Sequence, residues 1–191
     1  ADAAVRQAVA LTIDRKEFAE GQEEHIGRAG VPIDTVVTVP GQFGHSPVGV
    51  KRDVDKAKKL LESAGWKIAK GKATKGKESL TLVLPIPKNH EPSQHRAKLI
   101  TQQLDEIGIT VKTEVVAADS FYLKRVIPLD FDLVTFTRLG SAFNISHSRL
   151  WFTPRDSPEN FTGKASKAIG SAFKSAASEL DADDRAKANK K

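Results

Sequence analysis

The sequence predicts an α/β lobe, a mixed and mostly parallel sheet flanked by helices, and three observations carry that reading. Segments with apolar residues at helical spacing alternate with short segments of period two. Residues 79–116 read as strand, crossover helix and strand within 38 residues, the signature of a parallel βαβ unit. N-cap and stop residues, among them Asp53, Gly65, Gly108 and Pro128, mark joints between segments.

The first helix is expected over Asp2–Ile13, with Ala4, Val5, Ala8, Val9, Thr12 and Ile13 on one face and Asp2 as N-cap. Asp14-Arg15-Lys16-Glu17 has the form of a capping box and opens a second helix, which Gly27, Gly30 and Pro32 stop. Residues 31–50, with Pro32, Pro40 and Pro47, read as a long loop. Asp53 caps a helix that turns Ala57, Leu60, Leu61 and Ala64 inward and ends at Gly65. The Lys/Gly tract that follows, Lys67–Lys77, reads as a solvated, mobile loop.

Ser79–Ile86 alternates, with Leu80, Leu82, Leu84 and Ile86 on one face. Ser93 is expected to cap the crossover helix, with Ala97, Ile100, Leu104 and Ile107 inward and Gly108 as its stop. Ile109–Val116 is the second strand, Asp119 caps a short helix through Val126, and Phe131–Thr137 is the third strand. The expected core joins Leu80, Leu82, Leu84, Ile109, Val111, Leu133 and Phe136 to the crossover helix. An irregular stretch leads to a helix over 164–178, and Asp181 caps one more that is still running at Lys191.

Composition excludes several classes. The 191 residues contain no cysteine, which removes disulfides, thiolate metal sites and thiol chemistry. No apolar run approaches the roughly 18 residues of a membrane-spanning helix. Methionine is absent and the chain opens on Ala1 within a helical pattern, so it is expected to be a piece of a larger protein. The formal net charge of +6 is local: residues 51–78 hold ten Lys/Arg against four acids, and the remainder balances at 20 of each sign. The basic tract has only Trp66 at its edge and lacks the interleaved aromatics on which bases stack, so no nucleic-acid partner is expected.

Catalytic signatures are missing. The five histidines form no i,i+4 pair, and His90 and His95, flanking Pro92, read as solvent-facing rather than metal-ligating. There is no nucleophile elbow, phosphate-binding loop or dinucleotide fingerprint. Asp130 and Asp132 read as strand-edge caps. No enzyme activity, metal or cofactor is therefore expected. The stretch Arg138–Ser146 is different: it leaves the carboxyl end of the expected third strand, where open α/β sheets place ligands. It combines a cation, small residues, an aromatic ring and hydrogen-bonding side chains, so Arg138, Leu139, Gly140, Ser141, Phe143 and Asn144 are the candidate ligand contacts.

Three ordered motifs carry a family resemblance. They are Val5-Arg6-Gln7-Ala8…Ile13-Asp14-Arg15; Asp55-Lys56-Ala57-Lys58-Lys59-Leu60-Leu61-Glu62-Ser63-Ala64-Gly65-Trp66; and Leu80-Thr81-Leu82…Leu104…Ile107-Gly108-Ile109-Thr110-Val111. Phe131-Asp132-Leu133 and Asn160-Phe161-Thr162-Gly163 are weaker matches. Together they resemble the family-5 extracellular solute-binding proteins, the peptide receptors of ABC importers. The resemblance implies a type II periplasmic-binding-protein fold, of which residues 1–191 form a single lobe: most of the C-terminal lobe of a two-lobed clamp whose first lobe is absent. It also implies a small solute or peptide as ligand, ABC permease transmembrane subunits as partners, and an exported, lipid-anchored full-length protein. One departure bears on the ligand. Where such receptors carry an acid for the peptide's amino group, this chain reads Arg138-Leu139-Gly140-Ser141, with no acid until Asp156. A binding-protein-like scaffold or regulator of the cell envelope that no longer transports a solute is the alternative.

Overall fold

The computed structural model describes residues 2–21, 27, 30–33, 35, 37–42, 45, 49–135, 137, 141, 144–154, 157, 159–179 and 181–188. The chain divides into two compact units: Ala1–Pro32, Val50–Arg125 and Asp130–Phe136 form the first, and Ile33–Gly49, Val126–Leu129 and Thr137–Lys191 the second.

In the first unit, α1 (Ala3–Thr12) buries Val5, Ala8 and Thr12, and Asp2 accepts the Ala4 N–H as its N-cap. Helix α2 (Arg15–Glu20) starts on Asp14, whose carboxylate accepts from the N–H groups of Lys16 and Glu17. The capping box is only half local. Glu17 does not reach back; the Asp14 N–H goes to Gln103 Oε1 at 2.9 Å, and Gln103 Nε2 donates to Glu17. Helix α3 (Val54–Ser63) buries Ala57 and Leu61 and closes as a Schellman motif. Gly65 (φ 88°) donates to Glu62 O and Trp66 to Leu61 O, which folds Trp66 back against the core.

The Lys/Gly tract corrects the sequence reading. It is a three-stranded antiparallel meander, β1 (Lys67–Ala69), β2 (Lys72–Lys75) and β3 (Glu78–Ser79), in the order β1-β2-β3. Lys70-Gly71, both at positive φ, make the two-residue turn of a hairpin. Ala73 on β2 is fully buried in the core, and it anchors the tract by donating to Gly108 O and accepting from Leu80 N–H, both at 2.8 Å. Alternation on so short a strand leaves a single inward residue, and an alanine gives little hydrophobic signal.

Strand β4 (Thr81–Pro87) pairs in parallel with β5 (Thr110–Val116), from Thr81 opposite Thr110 to Pro87 opposite Val116. Helix α4 (Glu91–Asp105) is the crossover between them. Its N-cap is His90, not Ser93: His90 Nδ1 accepts the Ser93 N–H, and Pro92 occupies the first turn, where its missing N–H leaves nothing unsatisfied. Leu82, Leu84 and Ile86 meet Ala97, Ile100, Leu104 and Ile107 in one core, to which Val5, Ala8, Ala57, Leu61 and Ala73 also belong. Val111 and Leu133 pack at its margin; Phe136 lies outside the described residues. At the end of α4, Gly108 (φ 75°) is obligatory on steric grounds too, since a Cβ there would lie 2.6 Å from Ala73 N.

The expected helix at Asp119 is α5 (Ala118–Phe121), which Ala117 precedes without a side-chain cap, continued by a π-helical turn over Tyr122–Val126. The expected third strand does not form among residues 131–135. Asp132 and Leu133 both donate to Val83 O at 3.0 Å, but the Asp132 carboxylate takes the Val83 N–H at 2.9 Å. A side chain thus occupies the donor that a continuing ladder would use. Asp132 therefore caps an edge of β4 rather than of a third strand, while Asp130 pairs with Arg125 instead of capping a strand.

In the second unit, α6 (Asn144–Arg149) and α7 (Lys167–Ser178) pack together, and Phe152 stacks on Phe173 at 6.0 Å. Ser166 caps α7 through the Ile169 N–H. Asn160 is buried and holds a tight loop: its Nδ2 donates to Pro154 O and Lys164 O, and its Oδ1 accepts from Thr162. Asp181 caps α8 (Ala182–Ala188) through the Asp183 and Asp184 N–H groups.

Candidate functional site

Of the six candidate ligand contacts, Arg138, Leu139, Gly140 and Phe143 lie outside the described residues. Ser141 and Asn144 are described, and both are half-buried. Ser141 O accepts from Gln42 Nε2 at 3.1 Å, which ties the loop to residues that precede it by 99 positions. Asn144 opens α6, and its Oδ1 accepts the Ile145 N–H at 3.0 Å.

Ile145 is also a wall of the cavity in this unit, a groove of about 330 Å³ lined by Val37, Ile145, Phe152, Ile169 and Phe173 among others. The apolar face of α7 was legible from its 3.6-residue period; that Phe173 and Ile169 flank an open groove was not, since periodicity reports which face is apolar and not what covers it. The side chains that line the groove are apolar, which suits an aliphatic or aromatic group.

The carboxyl end of β4 in the first unit holds polar chemistry that the sequence reading passed over. Ser93, 1% exposed, and His90 Nδ1 lie 2.9 Å apart. One turn further on, Arg96 donates from Nη2 to Ser93 Oγ at 3.3 Å. Its Nε is buried without a partner, and burial pushes its guanidinium below the ordinary arginine range. An arginine at an inward position of an amphipathic helix was the available signal. Among the described residues no group of three His, Asp or Glu side chains is placed to hold a metal ion, and no helix is long and apolar enough to cross a membrane.

A parallel strand pair with its crossover helix thus presents polar side chains at the carboxyl end, where open α/β sheets take ligands. Residues 1–157 match the family model of the bacterial extracellular solute-binding proteins, family 5 (middle region), and the chain belongs to that family. The oligopeptide-binding protein OppA of Mycobacterium tuberculosis, and that of Mycobacterium bovis, is 28% identical over 184 residues, 95% of this chain. The chain spans 31% of the length of these curated relatives. Among solved structures it is similar to the periplasmic EDTA-binding protein EppA (TM-score 0.81, 23% identity, 99% of this chain and 37% of that one). It is also similar to the oligopeptide-binding protein AppA from Bacillus subtilis in complex with a nonapeptide (TM-score 0.75, 22% identity, 99% and 38%). The fold is therefore the type II periplasmic-binding-protein fold that the motifs implied.

Proposed function

We propose that the chain is most of the C-terminal lobe of a two-lobed receptor. The receptor closes over a solute, a peptide in the first instance, and presents it to the transmembrane subunits of an ABC permease without chemistry on the ligand. In this reading the first lobe supplies the other half of the cleft, the loop Arg138–Asn144 supplies contacts, and a lipid anchor holds the full-length protein outside the cytoplasm. The observation that carries the reading is the family match over residues 1–157. It is supported by the 28% identity to receptors named for oligopeptides. Its fold relative AppA was solved with a nonapeptide bound.

The test is mass spectrometry of ligands extracted from the full-length protein purified from its native envelope, followed by thermal-shift titration with the compounds found. Co-purifying peptides that raise the melting temperature are expected. Arg138→Ala should then weaken their binding by roughly tenfold or more. A protein that carries no solute and whose melting temperature no peptide pool moves would overturn the reading in favour of a non-transporting scaffold.

A further inference from the structure

The lysines of the meander are sorted by face. Residues 67–79 hold five lysines and one acid, with no arginine and no aromatic ring. Lys67 lies opposite Thr74, Ala69 opposite Lys72, and Thr74 opposite Ser79. Directly opposed residues share a face and neighbours along a strand alternate, so these five stand on the face away from buried Ala73. The inner face takes Ile68, Ala73, Lys75 and the acid, Glu78, which is opposed to Lys75; Lys75 Nζ donates to Ala64 O at the end of α3. Lys70 and Lys77 stand in the two turns, at opposite ends of the sheet. The outer face is thus a floor of small residues framed by Lys67, Lys70, Lys72 and Lys77, all exposed. Among the described residues none of these four side chains makes an ion pair. Lysines guard edge strands against mispairing, which accounts for Lys67 on β1, but Lys72 is on the central strand and the other two are in turns. Like charges gathered on one ordered face repel one another, a cost that an opposing anionic surface removes.

We propose that this face docks on an anionic lipid bilayer, whose phosphodiester headgroups take the charges of Lys67, Lys70, Lys72 and Lys77. Three features favour lipid over other polyanions. Lysine is a point charge on a flexible stem, suited to a diffuse array of headgroups, whereas the planar fork that selects a single phosphate or carboxylate is absent from the face. The floor of Ala69, Thr74 and Ser79 carries none of the large apolar, aromatic or arginine anchors on which protein partners and unstacked bases depend. Position is the third feature. Strand β3 runs directly into β4, and Ala73 donates to Gly108 O just ahead of β5, so the meander lies at the amino end of the parallel pair. Ligands of open α/β sheets are taken at the carboxyl end, which docking of the meander leaves free. The inference does not depend on which solute the protein binds.

The test is flotation of the full-length protein, produced in the cytoplasm so that it carries no acyl chain, with vesicles of phosphatidylcholine alone or of phosphatidylcholine and phosphatidylglycerol. Partitioning onto the phosphatidylglycerol vesicles should be at least about tenfold stronger, and added salt should weaken it. The variant Lys67→Gln/Lys70→Gln/Lys72→Gln/Lys77→Gln should fall to the phosphatidylcholine level. A second variant, Lys98→Gln/Lys164→Gln/Lys167→Gln/Lys174→Gln, removes the same charge from exposed positions elsewhere and should keep most of the binding. Both should melt with wild type, because all eight side chains are exposed. Equal losses in the two variants would assign the attraction to net charge and overturn the inference. Wild type that shows no preference for phosphatidylglycerol overturns it as well; retention of that protein on immobilised polyglutamate or duplex DNA would give the face to an acidic protein or a nucleic acid instead.

Discussion

Asp14 and Gln103 stand 89 positions apart, and the backbone N–H of the first is capped by the side-chain oxygen of the second at 2.9 Å. The same amide donates to Glu17, so Gln103, 4% exposed, completes from another helix a capping box that Asp14 and Glu17 only half close. Replacing it by an isosteric apolar group leaves the part-buried Asp14 N–H without its partner and takes a hydrogen bond from the exposed Glu17. Gln103→Leu is expected to cost about 1–3 kcal/mol in urea unfolding with an unchanged denaturant slope. A loss under about half a kcal/mol would mean that water replaces the amide there.

Leu104, beside it, is fully buried between α4 and the strand pair. Truncation removes its transfer free energy and leaves a cavity, so Leu104→Ala should destabilise by about 2–5 kcal/mol. The same denaturant titration checks it.

The Lys-rich meander yields opposite expectations for adjacent kinds of residue. Lys70 occupies a positive φ of 50° in a two-residue turn before Gly71, where asparagine is the better residue, so Lys70→Asn should raise stability by about half a kcal/mol. Ala73 is fully buried, and Ala73→Asp would place an unpaired carboxylate in the core and prevent folding. A deletion of 70–76, harmless to a solvated loop, should likewise abolish the cooperative transition seen by circular dichroism.

Glu114 gives a pH signature. Hydrogen bonds from Lys112 and then Arg125, at 2.6 and 2.8 Å, hold its carboxyl below the usual carboxylate range. A lowered folded-state pKa stabilises the protein above the unfolded value, and that contribution is lost as pH falls through the folded value. Wild type should therefore melt above Glu114→Gln at neutral pH, with the gap closing as the pH falls below the ordinary carboxylate range. High salt should narrow the neutral-pH gap, because the pair is partly solvated. A gap that is independent of pH would assign the effect to packing.

Much of the first unit was legible along the chain because its signals are local. The 3.6-residue period of α3, the Asp53 cap and the Gly65 stop all act within one or two turns, and Leu82, Leu84 and Ile86 announce a buried strand face on their own. The order of motifs from Val5 to Val111 carried the family. What only the tertiary structure decided involves partners distant in sequence. Ala73 makes an ordered sheet of a lysine tract because Gly108 O and Leu80 N–H are there to meet it. Asp132 spends its carboxylate on Val83 and ends a strand that the apolar pattern of Phe131–Thr137 favoured. Ser93 lost its capping role to His90 and became the support of Arg96. Hydrophobic period depends on a residue's own neighbours, whereas the satisfaction of a backbone donor or a buried charge depends on whatever the fold brings within about 3 Å.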